Sequence, residues 1–309
     1  MRNAFAAAIT DLAAKDERIV LLSGDIGNRL FDKYRERYPA RFYNCGVAEQ
    51  NMTGMAAGLA LSGLRPFTYT ITPFATTRVI EQIRVDICYH DVPVVIVGTG
   101  SGLSYASLGP THHSCEDVGI LRCFPNLTIL CPADAMEVGP AIEAALSCPG
   151  PVYIRLGKKG EPVVHERPPR FEVGRGLVMR EGGDVCLLGM GTMTAVALDA
   201  AKLLESQGIS ARVVSMQTVK PLDEQLLAES FDRFPVVAVI EEHSVIGALG
   251  SAVAEWLARG GPRRGVLEAI GTPDAFISEA GSQQWMRERC GLTAAAIAER
   301  IANRSKEVR

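Results

Sequence analysis

One carboxylate, Glu49, stands in "FYNCGVAEQNMTGMAAGLALSG" (42–63), where a glycine and small residues lead into a long apolar run with helical periodicity. An acid at that point either complements the positive end of a helix or, if buried, exchanges a proton with a bound group. The local sequence alone makes the first the plainer reading. His112 and His113 stand side by side in "GPTHHS", but adjacent side chains diverge and no helical histidine partner lies nearby, so metal-ligand spacing is poorly met. Asp25 in "SGDIGN" suits a simple Asx turn. Phe74 in "TPFA" is, on its own, an ordinary core residue. Familiar catalytic patterns are missing. There is no G-x-x-x-x-G-K-[ST], no G-x-G-x-x-G opening a helix after the first strand, no G-x-S-x-G and no H-E-x-x-H. "GTGSG" after "VPVVIVG" lacks the dinucleotide-binding spacing.

These residues need elements to position them. The first half alternates β-rich runs, "RIVLLSG", "PFTYTI", "VPVVIVG", "NLTIL" and "PVYIRL", with helix-length segments, "MTGMAAGLALSG", "TTRVIEQIRVDICYH" and "DAMEVGPAIEAALS". That alternation predicts βαβ units in a mostly parallel sheet covered on both faces. Around "GKKGEPVVHERPPRFEVGRG" prolines, glycines and charges break the pattern, as in a linker. A second α/β series follows, with strands "DVCLLGMG", "ARVVSMQT", "PVVAVIEE" and "GVLEAIG" and glycine-closed helices "TAVALDAAKLLESQG" and "ALGSAVAEWLARGG". The expected fold is α/β with two domains, 1–160 and 177–309, joined by a linker at 161–176. Asp25, Glu49, Phe74 and the 98–114 segment all follow strands, and open α/β sheets place ligands at those carboxyl ends. Four such loops make a site if the strand order brings them together.

A chain of 309 residues with a formal charge of −3 offers little for phosphate neutralisation, which argues against a nucleic-acid partner. No run approaches the roughly 18 apolar residues of a membrane span, and the N-terminal run reads as an amphipathic helix more than a signal peptide. Eight cysteines without a C-x-x-C pair read as reduced, mostly core thiols, consistent with a cytoplasmic setting.

"GVAEQNM", "ITPFATTRVIEQIR", "LGPTHHSCEDVGILRCFPNLTILCPADAMEV" and "PVYIRL", in this order and spacing, resemble the pyrimidine-binding domain of transketolase. "VVAVIEEHSVIGALGSAVAE" resembles the C-terminal domain that follows it. The resemblance covers essentially the whole chain. It implies thiamine diphosphate as cofactor, its pyrimidine end bound here. Full-length members hold the diphosphate and Mg²⁺ through a G-D-G sequence and a downstream Asn pair. "GDIG" at Gly24 is only an echo of that, in the wrong domain and without the Asn pair. The chain therefore resembles the C-terminal subunit of a split transketolase, whose partner would carry the diphosphate-binding domain and the Mg²⁺ ligands, in an expected α₂β₂ assembly.

The resemblance places Glu49 against N1′ of the aminopyrimidine, where a shared proton activates the cofactor. It stacks Phe74 on that ring, and puts Asp25 and Ile71 near the cofactor. His112 matches the histidine of the "PTH" motif at the reacting oxygen, with His113 as its rival. Arg155 matches an arginine that grips the sugar phosphate, an interdomain ion pair being the ordinary alternative. The departures are Gly100, where a histidine is usual; Leu108, where an acid contacts the donor hydroxyl; and Arg29, in place of a phosphate-binding serine. Glu241, Glu242 and His243 read as structural or subunit-contact residues. The expected activity is transfer of a two-carbon ketol unit from a ketose donor to an aldose acceptor. A 2-oxo acid dehydrogenase E1 β subunit, a deoxyxylulose-phosphate-synthase-like enzyme and a non-catalytic regulatory subunit remain as alternatives.

Overall fold

The computed structural model describes residues 1–27 and 29–308; Asn28, in the "SGDIGN" loop, and Arg309, at the end of the expected second domain, lie outside the described residues. Twelve strands are present among the described residues: β1 (Ile19–Ser23), β2 (Phe42–Asn44), β3 (Arg65–Ile71), β4 (Val95–Thr99), β5 (Thr128–Leu130), β6 (Val152–Leu156), β7 (Leu177–Arg180), β8 (Val185–Gly189), β9 (Ala211–Ser215), β10 (Thr218–Lys220), β11 (Val236–Ser244) and β12 (Val266–Thr272). They form a seven-stranded sheet in the order β10-β5-β6-β4-β3-β1-β2 and a five-stranded sheet in the order β12-β11-β8-β9-β7. All pairs are parallel except β10 with β5 and β7 with β9. Two mostly parallel sheets flanked by helices are the expected α/β architecture in two domains.

β1, β4 and β6 are buried along their whole length, because helices cover both faces of the sheet. Their side chains alternate between two cores. Leu21 and Val97 join Phe5, Ile9, Phe67 and Ile142 on one face. Val20, Leu22 and Ile96 face the other way, into a cluster that continues through Leu188, Val214 and Val239 of the second sheet. The two domains thus share one apolar core rather than meeting at a wet interface.

"ARVVSMQT" is not one strand, as its continuous pattern suggests, but parts of two in different sheets. β9 ends at Ser215; the Met216 N–H then donates to the Gly189 carbonyl in the second sheet, while Gln217 accepts from the Cys131 N–H in the first. β10 follows as an antiparallel edge strand on β5, and this exchange stitches the domains together. The segment 157–176 contains neither helix nor strand. The expected helix at 76–90 is irregular: a 3₁₀ turn (Thr77–Val79), a short α turn (Ile80–Gln82) and a π-helix (Ile83–Tyr89). Its wider spiral keeps Ile83, Ile87 and Cys88 on the buried side. All eight cysteines are unpaired. Among the described residues no helix is long and apolar enough to cross a membrane.

Candidate active site

The strand order supplies the condition the loops required. β4, β3, β1 and β2 are neighbours in one parallel sheet, so the segments after them leave one edge side by side. Asp25 and Arg29 follow β1, Glu49 follows β2, Phe74 follows β3, and Gly100 to His113 follow β4. Ile71 closes β3, half-buried, and turns the chain into the short helix Thr72–Ala75.

Glu49 opens the helix Glu49–Leu61 but does not serve it as a cap. Its side chain is 4% exposed and lies over the end of β3, with Thr70 Oγ1 3.5 Å from Oε1 and Arg78 Nη1 2.9 Å from Oε2. Gly24 keeps this space open from the β1 side; a Cβ there would stand 3.8 Å from Glu49 Oε1 and 3.1 Å from Thr70 Oγ1. The Arg78 guanidinium also lies 3.9 Å from the centroid of the half-buried Phe74 ring. A buried carboxylate and an aromatic face are therefore bridged by one flat, half-exposed cation.

His112 comes to the same group, its ring 5.3 Å from that of Phe74 in edge-to-face contact, with Nδ1 3.0 Å from Thr111 Oγ1. His113 turns elsewhere. It lines a cavity of about 330 Å³ with Cys115, Ser244, Thr272 and Phe276, and its buried Nε2 has no hydrogen-bond partner among the described residues. Burial lowers the His113 pKa, so the ring is held neutral. Gly100 is fixed by its neighbour as well as by its backbone. At φ +77° a Cβ would meet Tyr105 Cε2 at 2.0 Å, so the Tyr105 ring fills the place a side chain at 100 would take. Lys158 Nζ lies 4.2 Å from the centroid of that ring. Leu108, in the turn Ala106–Leu108, is half exposed at the rim.

Asp25 is exposed and accepts from Asn44 Nδ2 at 3.0 Å, linking the ends of β1 and β2. It lines a cavity of about 540 Å³ with Arg2, Arg29, Arg35 and Asn44, beside the Glu49–Phe74–His112 group rather than within it. Arg29 is almost fully exposed and pairs with Asp32 at 3.0 Å. Arg2 has no motif to mark it, being one arginine in the N-terminal helix Arg2–Ala13. Folding places it in this cavity, its buried Nε without a hydrogen-bond partner among the described residues.

The expectation that Arg155 grips a sugar phosphate is corrected. Its guanidinium is buried and committed: Nε to Asp117 Oδ2 (2.8 Å), and Nη2 to Asp117 Oδ1 (3.2 Å), the Ser114 carbonyl (3.2 Å) and the Glu242 carbonyl (3.0 Å). Tyr153 donates to the same carboxylate at 2.7 Å. Burial pushes the Asp117 carboxyl up, but the Arg155 and His243 charges and these hydrogen bonds outweigh it and hold the group below the usual range. A buried cation keeps its carboxylate when the alternative is to leave both unpaired, and Arg155, so held by Asp117 of its own domain, reaches the second domain through the Glu242 carbonyl.

Comparison with known proteins gives the family. Residues 1–161 match the family model "Transketolase, pyrimidine binding domain", and residues 174–297 match "Transketolase, C-terminal domain". The chain is 39% identical over 298 residues to the 6-deoxy-6-sulfo-D-fructose transketolase subunit of Clostridium sp. (strain MSTE9), covering 96% of this chain and 92% of that one. It is 37% identical over 264 residues to one of the apulose-4-phosphate transketolase subunits of Actinobacillus succinogenes, covering 85% of each chain. Among solved structures, one described as a split gene transketolase, inactive beta4 tetramer, superposes with a TM-score of 0.90 at 40% identity, over 100% of this chain and 98% of that one. The chain belongs to the transketolase family, as a protein built from its pyrimidine-binding and C-terminal domains.

Proposed function

We propose that this chain, divided at residues 160 and 177, is the pyrimidine-domain subunit of a heteromeric, thiamine-diphosphate-dependent transketolase. It moves a two-carbon ketol unit from a ketose, a sugar phosphate among the candidates, to an aldose acceptor. The observation that carries this reading is the Glu49–Arg78–Phe74 arrangement. A flat cation already makes the two contacts, carboxylate oxygen and aromatic face, that a protonated aminopyrimidine would need, so the residues fit the group. When bound, thiamine diphosphate supplies the carbanion chemistry of the transfer.

The chain's own residues do the rest. Glu49 presents a buried carboxyl to the ring nitrogen and exchanges a proton there. Phe74 offers one wall of the slot, worth about 0.5–1.5 kcal/mol beyond its area. Ile71 and Asp25 border the slot from the ends of β3 and β1. His112 has Nδ1 engaged by Thr111, which leaves Nε2 to handle a proton at the substrate oxygen. With Arg155 held by Asp117, Arg2, Lys158 and Arg29, the last by leaving Asp32, are the cations placed to meet an anionic sugar end, and their charge-assisted hydrogen bonds replace the expected arginine contact. Gly100 and Leu108 leave fewer polar contacts for sugar hydroxyls, which narrows the donors the pocket discriminates.

The partner subunit, in an α₂β₂ complex, holds the diphosphate and Mg²⁺. Unpaired thiols, half of them buried, suit a cytoplasmic complex. The test is reconstitution with the cognate diphosphate-binding subunit, assayed on ketoses and on 2-oxo acids. The expected result is ketol transfer by the complex and none by the isolated chain. Turnover by the isolated chain, or activity on 2-oxo acids alone, would overturn the reading.

A further inference from the structure

Glu241 and Glu242 are neighbours on β11, and alternation along the strand sends them to opposite sides. Glu241 accepts from the N–H groups of Leu249 and Gly250 at 2.9 and 3.0 Å, closing the start of the helix Leu249–Gly260. Glu242 points into the first domain. Its Oε1 accepts from the backbone N–H of Leu103 at 2.7 Å and from Gln283 Nε2 at 2.9 Å, and Arg287 Nε pairs with Oε2. A carboxylate of the second domain, 1% exposed, is thus bonded to the main chain of the loop that carries Tyr105 and His112.

The contact is built from both sides. Gly102, at φ +60°, is the one residue type that fits beneath Glu242, because a Cβ would stand 2.6 Å from Oε1 and 2.7 Å from the Glu242 carbonyl oxygen. Gly102 and Ser114 pinch the base of the loop with mutual N–H···O bonds of 3.0 and 2.9 Å. Arg155 Nη2 ties the Ser114 carbonyl to that of Glu242. The Ser244 N–H donates to the Cys115 carbonyl at 2.8 Å, and Leu103, Ala106 and Cys115 pack on Met286.

We infer that Glu242 is a positioning residue for the transfer reaction, setting from the second domain the height and tilt of the loop that presents His112 to Phe74 with Tyr105 beside it. The inference rests on the proposed role of His112. Glutamine at 242 keeps the volume but cannot accept from Leu103, Gln283 and Arg287 together, so the loop loses its anchor. Glutamine at 241 disturbs only the helix start and serves as the matched control.

The experiment compares wild type, E242Q, G102A and E241Q in the complex with the diphosphate-binding subunit. It reads donor KM, kcat, thiamine diphosphate affinity, and hydrogen–deuterium exchange of loop 100–116. E242Q and G102A are expected to speed exchange in the loop and to lower kcat/KM for the donor by about tenfold or more, with cofactor affinity within about twofold. E241Q should speed exchange in 249–260 and leave kcat/KM within about twofold. Unchanged kcat/KM in E242Q, with or without faster exchange, overturns the inference, and so does a parallel loss of cofactor affinity. A wild-type complex that transfers nothing sinks the functional reading instead, and the exchange data then report whether the clamp itself stands.

Discussion

Arg78 Nη1 donates to Glu49 Oε2 at 2.9 Å, from a side chain 41% exposed to one only 4% exposed. The same guanidinium covers the Phe74 ring. The aminopyrimidine of the proposed cofactor would use both contacts, so the two cannot share the slot.

Replacing Arg78 with alanine removes that competitor. An ion pair with an exposed partner contributes about 0–1 kcal/mol and an exposed cation–π contact about 0.5–1 kcal/mol. R78A is therefore expected to tighten thiamine diphosphate binding by about two- to thirtyfold, read by titration of the reconstituted complex. Weaker binding would mean that Arg78 stays beside the bound ring and holds it.

Gly100 and Tyr105 should behave as one unit. G100A forces a Cβ onto the Tyr105 ring at a positive φ and is expected to destabilise by about 1–3 kcal/mol. In a Y105A background the same change should be milder, a coupling that denaturant unfolding of the double-mutant cycle measures. Strictly additive losses would contradict it.

Arg155→Met should act first on stability. It leaves Asp117 buried without its main partner, and about 3–5 kcal/mol is expected to be lost near neutral pH. The wild-type pair contributes fully above the unfolded carboxyl value of 3.8 and loses that contribution as pH falls through the lower folded value. Unpaired, the same carboxyl takes up a proton more readily in the folded state. The gap between the two proteins should therefore narrow toward acid, and thermal unfolding across pH checks this.

Arg155 also marks the limit of what is legible in the sequence. A cation at a strand end fits a phosphate as well as a carboxylate, and nothing in the residue order shows that the Asp117 carboxylate folds back onto it. Arg2 is invisible for the opposite reason, because one arginine in an amphipathic helix has no pattern until folding brings it to the cavity beside Asp25. The alternating strands and helices are readable because they follow from local periodicity, whereas the meeting of four loops on one sheet edge waits on a strand order that only the fold supplies. β10 is not readable either, because three residues are too short to show a period. Gly100 stands out in the sequence as a departure, but that Tyr105 fills its place is a fact of packing alone.

Glu241 gives a pH signature of its own. Burial pushes its pKa up to about 7 from 4.5, so the folded state binds more protons than the unfolded one between those values. Its linkage contribution is then most favourable below the unfolded value and is lost as pH rises through the folded one. Wild-type melting temperature should decline relative to E241Q as pH is raised from 4.5 toward 7 and run parallel to it above. A constant difference across that window would show that the carboxyl is not perturbed.

The central claim is that Glu49 exchanges a proton with the bound cofactor. Its most direct test is Glu49→Gln in the reconstituted complex, with cofactor binding and ketol transfer measured on the same sample. The variant is expected to bind thiamine diphosphate still, while turnover falls by at least about a hundredfold. Near-normal turnover at full cofactor occupancy would contradict it.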